Sequence, residues 1–114
     1  MTRRYLPSTL PRLAADRAGA GPDADDPVVA ADDDEATEYA ALMTAADASA
    51  ELLAGLPDGQ RRRVVVVVET ASTDAPVTWR DVVAVHVDDT DDADPDDDLA
   101  WWATQEIGDL LTSS

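Results

Sequence analysis

The chain has 114 residues, and its 25 acidic and 8 basic side chains give a formal net charge of -17 at pH 7. A chain of this length has room for one domain with a modest core. Its charge would repel phosphate groups and anionic lipids, so we expect neither a nucleic-acid nor a membrane partner. The absence of cysteine excludes disulfides and thiolate metal sites.

Hydropathy and the first residues indicate a cytoplasmic protein. No apolar run approaches the roughly 20 residues that a membrane-spanning helix needs. The chain also reaches Pro7 without the hydrophobic segment of a secretory signal peptide. We therefore expect a soluble protein that stays in the cytoplasm.

The first third of the chain predicts a strand, a helix and a loop. Residues 3–8 resemble a strand at or near a sheet edge, where Pro7 limits pairing. Apolar residues at helical spacing predict a helix over residues 10–17. Residues 18–34 are rich in Asp, Gly and Pro and predict an acidic flexible loop, with a short strand at residues 27–31.

The next segment predicts the longest helix, over residues 35–54. Asp32 or Asp34 is placed to cap its first turn, and Gly55 follows its end. One face carries a narrow, alanine-rich stripe that suits close packing on a sheet. The stripe consists of Tyr39, Leu42, Met43, Ala46, Ala50 and Leu53. We expect core packing there, with a ligand role for Tyr39 as the alternative.

Five consecutive valines, Val64 to Val68, predict the central strand. Such β-branched residues favour a pleated sheet, and apolar side chains on both faces indicate cover on both sides. Arg61, Arg62 and Arg63 precede this run. If the first strand lay beside the valine strand, these residues and the arginines at positions 3, 4, 12 and 17 would form one basic, anion-binding corner, with a solvated rim as the alternative.

After a polar loop, residues 78–81 have the form of a capping box, and residues 82–87 predict a second buried strand. Eight of the 11 residues from 88 to 98 are Asp. Such a segment cannot form a core, and mutual repulsion of its carboxylates favours a second acidic flexible loop.

The last segment predicts a strand at residues 99–103 and a short helix at residues 104–111, with Thr104 as its N-cap. The predicted fold is therefore a single α+β domain over residues 1–114. We expect a mixed, mostly antiparallel sheet of four to five strands, packed by one long helix and one or two short helices.

Candidate catalytic groups collect near the end of the second buried strand. His86 and Asp88 share a face of it, Asp89 follows, and Gln105 and Glu106 would reach the same end if the last strand ran beside it. One imidazole and two carboxylates could hold a metal, with Glu106 as general base of a hydrolase. The alternative is a half-buried His86 bonded to a carboxylate that raises its pKa.

Known catalytic and metal motifs are missing. Asp92, Asp94 and Asp96 match the first ligand positions of an EF-hand loop, but Asp97 replaces its glycine and Ala103 its final glutamate. Weak calcium binding and a solvated linker both remain open. Without a phosphate-binding loop or nucleophile elbow, we expect no cofactor, and the sequence favours a protein that is not an enzyme.

The pair Trp101 and Trp102 indicates a contact surface. Adjacent strand residues face opposite ways, so one tryptophan is in the core and the other is exposed, in an interface or covered by a helix. Together with Gln105 they are the predicted binding residues. The leading hypothesis is a non-catalytic protein-interaction or regulatory domain. The alternatives are the metal-assisted hydrolase and, third, an acidic mimic of nucleic acid. Partner identity and oligomeric state do not follow from the sequence.

Residues 4–10, 38–42, 85–89 and 102–107, taken in this order, resemble an uncharacterised family of short acidic actinobacterial proteins, a domain of unknown function. The resemblance covers nearly the whole chain. It implies an α+β fold and a cytoplasmic location but no activity. It also implies that His86, Asp88, Asp89, Gln105 and Glu106 belong to recurring motifs.

Overall fold

The computed structural model describes residues 2–19, 21–22, 27–30, 32 and 34–112. In chain order the elements are β1 (Thr2–Ser8), α1 (Leu10–Ala18), β2 (Val28–Val29), α2 (Glu35–Glu51), β3 (Val64–Thr70), a 3₁₀ turn (Trp79–Asp81), β4 (Val82–Val87), β5 (Ala100–Ala103), a second 3₁₀ turn (Thr104–Glu106) and α3 (Ile107–Thr112). The predicted loop at residues 18–34 lies partly outside the described residues, and its mobility stays a prediction.

The valine strand β3 lies at the centre of a five-stranded sheet with the order β2-β1-β3-β4-β5. All four strand pairs are antiparallel. The α+β class and the predicted number of strands are therefore confirmed, with an antiparallel sheet in place of a mixed one. The central position explains the composition of β3, because a strand covered on both faces has no polar side to expose.

Side chains of β3 alternate between two cores. Val64, Val66 and Val68 pack with α1 and α3 on one face. Val65 and Val67 pack with the alanines of α2 on the other face. This alternation with a period of two confirms that the run of valines is covered on both sides.

Strand β1 is the second strand of the sheet and pairs with β3 along its whole length, Pro7 lying opposite Val65. Its other neighbour, β2, pairs within the described residues with Arg4 and Tyr5. Pro7 therefore lies beyond the short stretch that pairs on both sides, where a proline, which lacks an N–H, is tolerated.

Helix α2 ends at Glu51, three residues before the predicted end, and has 17 residues. Its buried residues are Ala41, Ala45, Ala46 and Ser49, whereas Tyr39 is 51% exposed. The buried face of α2 therefore differs from the predicted stripe. Small side chains face the core and allow the helix to approach the sheet closely, and the larger Tyr39 lies outside this face. Among the described residues, no helix has both the length and the apolar character to cross a bilayer.

The helical segment that begins at Thr104 is capped differently from the prediction. Thr104 is not the N-cap, because its hydroxyl donates to the carbonyl of Val82 at 2.9 Å. Instead, the carboxylate of Glu106 accepts the N–H of Ala103 at 2.9 Å. Ile107 and Leu110 are buried in the core that α1 and α3 form with the sheet.

A register shift interrupts the pairing of β3 with β4. Val67 pairs with Ala84 and Val68 with Val82, so Val83 is the extra residue of a β-bulge. Val83 is 38% exposed although it lies between buried neighbours. The bulge turns this valine toward the face of the sheet that α2 leaves partly open.

Candidate functional site

A buried ion pair lies where β3 begins and β4 ends. The side chains of Arg63 and Asp88 are 3% and 2% exposed. Nε and Nη2 of Arg63 donate to the two carboxylate oxygens of Asp88, each at 2.8 Å. The carboxylate also accepts the backbone N–H of Arg63 at 2.9 Å. Hydrogen bonding by Asp88 raises the pKa of Arg63, so this guanidinium is permanently charged.

The same guanidinium holds the loop that follows β4. Nη1 of Arg63 donates to the carbonyl of Pro95 at 3.1 Å, and Nη2 donates to the carbonyls of Asp94 and Asp97 at 3.2 and 2.8 Å. Nearby, the guanidinium of Arg61 is paired with Asp92 at 3.0 Å. The acidic segment at residues 88–98 is therefore attached to the start of β3, and its mobility stays a prediction.

The arginines do not form the predicted basic corner. Because β1 is antiparallel to β3, Arg3 and Arg4 lie at the end of β3 opposite to Arg61 and Arg63. The guanidinium of Arg4 donates to the carbonyls of Thr73 and Ala75 at 2.9 and 2.6 Å, and that of Arg3 is bound by carboxylates. Arg3 and Arg4 are thus separated from Arg61 and Arg63 by the length of β3, so the prediction that these residues form one corner is wrong.

His86 lies on β4 directly opposite Trp101 of β5. Its side chain is half-buried, and burial lowers the pKa of the imidazole below its usual value near 6.5. Within the described part of the chain, no hydrogen bond to a carboxylate accompanies it. The expectation of a carboxylate partner that raises the pKa is therefore wrong, because Asp88 is turned toward Arg63.

We expect His86→Gln to remove part of the pH dependence of stability. The folded protein binds this proton less readily than the unfolded chain, so the free energy of unfolding falls as the pH drops below the unfolded value of about 6.5 toward the folded-state pKa. Urea unfolding of the wild type and His86→Gln at about pH 7.5 and pH 5.5 checks this. An equal change in the free energy of unfolding between these pH values in the two proteins would contradict it.

The proposed metal ligands do not come together. Asp88 is engaged by Arg63, and Asp89 is exposed. Glu106 caps Ala103, which pairs with the first half of β4, because antiparallel strands place the end of β5 beside the beginning of β4. Across the described residues, no group of three His, Asp or Glu side chains has the arrangement of a metal site. The prediction that these residues converge at one strand end is therefore wrong.

The two tryptophans face opposite ways, as the strand pattern predicted. Trp102 packs against the core formed with α1 and α3. Trp101 is 61% exposed on the face that carries α2. Of these two tryptophans, Trp101 therefore presents its side chain to solvent, and Gln105 lies exposed in the 3₁₀ turn that follows β5.

Trp101 forms one wall of a groove of about 360 Å³ between α2 and β5, called the aromatic groove below. It is lined by Arg3, Tyr5, Glu38, Tyr39, Leu42, Val67, Val83, Ala84, His86 and Trp101. The hydroxyl of Tyr39 donates to Asp98 at 2.8 Å, and this hydrogen bond raises the pKa of Tyr39. The sequence indicates Trp101 as a candidate contact residue. For Tyr39 it predicts core packing with a ligand role as the alternative, and for Val83 it predicts a buried position.

The lining of the aromatic groove contains one cation, Arg3, and one carboxylate, Glu38, and two further carboxylates bind lining residues. The guanidinium of Arg3 is shared by Glu38 at 3.1 Å and Glu69 at 2.7 Å. A third carboxylate, that of Asp98, accepts the neutral hydroxyl of Tyr39. The cation in the lining is therefore shared by two carboxylates, and His86 adds little positive charge at pH 7 because burial lowers its pKa.

The chain belongs to a family of unknown function, DUF6912, whose model matches residues 2–111. No curated protein and no solved structure matches the chain significantly. The resemblance to an uncharacterised domain of unknown function is thus confirmed over nearly the whole sequence. Family membership supplies no activity, so a functional proposal rests on the geometry of the aromatic groove.

Proposed function

We propose that this member of a family of unknown function is a non-catalytic domain that binds a partner protein through the aromatic groove. The observation that carries the proposal is Trp101, whose side chain is 61% exposed at the wall of a concave surface. An indole loses favourable apolar burial when it is left in water, and Trp and Tyr are enriched among the residues that dominate binding energies.

The packing of α2 explains why this surface is open. The alanine face of α2 packs mainly over β1 and β3. The neighbouring half of the sheet, with Val83, His86 and Trp101, therefore has only the edge of the helix beside it. Tyr39 contributes a second exposed aromatic side chain from that edge. Exposed apolar side chains gathered around a concavity are typical of a contact surface.

The charge of the protein favours a protein partner over a nucleic acid. A chain with a net charge of -17 repels the phosphate backbone, whereas it attracts proteins with basic surfaces. Glu38 in the lining of the groove, with Glu69 and Asp98 bound to the lining residues Arg3 and Tyr39, extends this preference to the site itself. The metal-assisted hydrolase has no comparable support, since its candidate residues lie apart.

We expect Trp101→Ala to weaken partner binding by about 30-fold, the effect of losing a hot-spot residue worth about 2 kcal/mol. The wild-type protein, Trp101→Ala and a control, Val29→Ala, are immobilised, and proteins retained from an extract of the source cells are quantified. Val29 is a matched control because it is 42% exposed on β2, at the other edge of the sheet.

The supporting result is a protein retained by the wild type and by Val29→Ala but lost with Trp101→Ala. Truncation of an exposed side chain changes stability by only about 0.5 kcal/mol, so unfolding does not explain such a loss. Circular dichroism of each variant verifies the fold. If every retained protein binds Trp101→Ala as well as the wild type, the groove is not the contact surface.

A further inference from the structure

We infer that the partner segment in the aromatic groove presents a lysine or arginine side chain to Trp101 and Tyr39. This inference rests on the proposed function and names the chemistry of its partner. Three properties of the groove support it: the negative charge in and beside its lining, the aromatic side chains on its walls and its size. The edge of β5 adds a fourth argument, about how the segment binds.

Glu38 in the lining of the groove, and Glu69 and Asp98 bound to its lining residues, offer negative charge to a basic side chain. Glu38 and Glu69 share the single guanidinium of Arg3. Asp98 accepts a hydrogen bond from the uncharged hydroxyl of Tyr39. A second copy of this chain would bring another net charge of -17 and would be repelled.

The walls of the groove suit a cation as well as an apolar group. A cation that lies over the face of an indole or phenol ring is attracted by the ring quadrupole, and tryptophan gives the largest effect. Trp101 and Tyr39 both line the groove and are 61% and 51% exposed. Because His86 is neutral at pH 7, it does not repel a bound cation.

The size of the groove fits one long side chain. A volume of about 360 Å³ is at the lower end of the range of ligand pockets, which is about 300–1,000 Å³. Lysine and arginine pack their methylene stems on apolar surface and keep the charged group near polar atoms. Here Leu42 and Val83 offer the apolar surface, and Glu38 lies on the same lining.

The edge of β5 favours recognition through side chains over the addition of a strand. The N–H of Ala103 is bound by Glu106 and therefore does not pair with β4. Because backbone groups alternate in direction, Trp101 is the other residue of this four-residue strand whose N–H and carbonyl point toward the open edge. So short an edge provides little backbone pairing for a partner strand.

Selection from a library of short random peptides displayed on phage, against the immobilised wild-type protein, tests the inference. Selected peptides are then synthesised, and their affinities for four proteins are measured: the wild type, Trp101→Ala, Glu38→Gln and Glu51→Gln. The last is a matched control, because it removes the same charge from an exposed position at the far end of α2.

We expect the selected peptides to be enriched in Lys or Arg. Trp101→Ala should weaken the binding of these peptides by about 30-fold, and Glu38→Gln should weaken it by about tenfold. Glu51→Gln should have less than about a twofold effect, and added salt should weaken binding. Replacing the basic residue of a selected peptide by norleucine should weaken its binding to the wild type. The loss should be at least as large as the loss that Glu38→Gln causes for the original peptide.

The other outcomes separate the two proposals. Peptides that depend on Trp101 but show no enrichment in Lys or Arg would overturn the basic partner and leave the protein-binding groove standing. Basic peptides that respond equally to Glu38→Gln and Glu51→Gln would show attraction to the whole acidic protein and would also overturn it. If no selected peptide depends on Trp101, the proposed function itself fails.

Discussion

Arg63→Met is expected to lower the free energy of unfolding by about 3–5 kcal/mol, because it leaves the carboxylate of Asp88 buried without a cation. The substitution also removes the donors that bind the carbonyls of Asp94, Pro95 and Asp97. Small domains have total stabilities of about 5–15 kcal/mol, so this is a large part of the whole. Urea unfolding followed by tryptophan fluorescence measures the change.

Arg61→Met is the matched control. Arg61 lies two residues earlier and pairs with Asp58 and Asp92, whose side chains are 93% and 63% exposed. Exposed pairs contribute about 0–1 kcal/mol, so Arg61→Met should have a small effect.

If Arg63→Met does not fold, the uncharged variant Asp88→Asn provides the comparison. It keeps the shape of the side chain and leaves Arg63 its three carbonyl acceptors, so we expect a loss of about 2–4 kcal/mol. Equal stabilities of Arg61→Met and the variants at Arg63 and Asp88 would contradict the structural importance of the buried pair.

The second large effect is expected for Ser49→Ala on α2. The hydroxyl of Ser49 donates to the carbonyl of Ser8 at 2.6 Å and accepts the N–H of Val64 at 2.9 Å, at a site that is fully buried. It therefore joins the helix to β1 and β3. Removing it leaves two buried backbone groups without this partner, and we expect a loss of about 2–4 kcal/mol.

Ser72→Ala is the control for Ser49→Ala, because Ser72 is exposed and should change stability by less than about 0.5 kcal/mol. Ser49→Thr retains the hydroxyl but adds a methyl group at a packed site, so it tests whether volume matters in addition to hydrogen bonding. If Ser49→Ala is as stable as Ser72→Ala, the hydroxyl does not connect the helix to the sheet energetically.

Local patterns predicted the scaffold well. The run of valines was identified as a central strand because its β-branched side chains leave no polar face. Residues 82–87 were predicted as a strand with the observed bounds. The opposite orientations of Trp101 and Trp102 followed from strand geometry alone. These features depend on neighbours in the sequence, which a single chain reveals directly.

The candidate site was harder to predict, because it depends on contacts between distant segments. Asp88 is one of eight aspartates in its segment and Arg63 one of three consecutive arginines, so nothing local distinguishes the buried pair. The proposed convergence of His86 with Glu106 failed because strand direction places Glu106 at the other end of β4.

The errors at Tyr39 and Val83 have different physical causes. Tyr39 was assigned to the core because large apolar side chains usually define the buried stripe of a helix. On α2 the alanines take that place, since they allow the helix to approach the sheet closely. Val83 is exposed through a β-bulge, and a bulge leaves no mark in a uniform run of apolar residues.

The attachment of three loop carbonyls to Arg63 has a consequence for the groove. Residues 94–97 lead directly into β5, which carries Trp101, and Asp98 holds the hydroxyl of Tyr39. Local opening of this loop must therefore break bonds to a buried guanidinium, which raises the free energy of that opening. A preorganised wall loses little conformational entropy when a partner binds. If the aromatic groove binds a partner as proposed, we expect the buried pair to favour that binding by holding this loop in place.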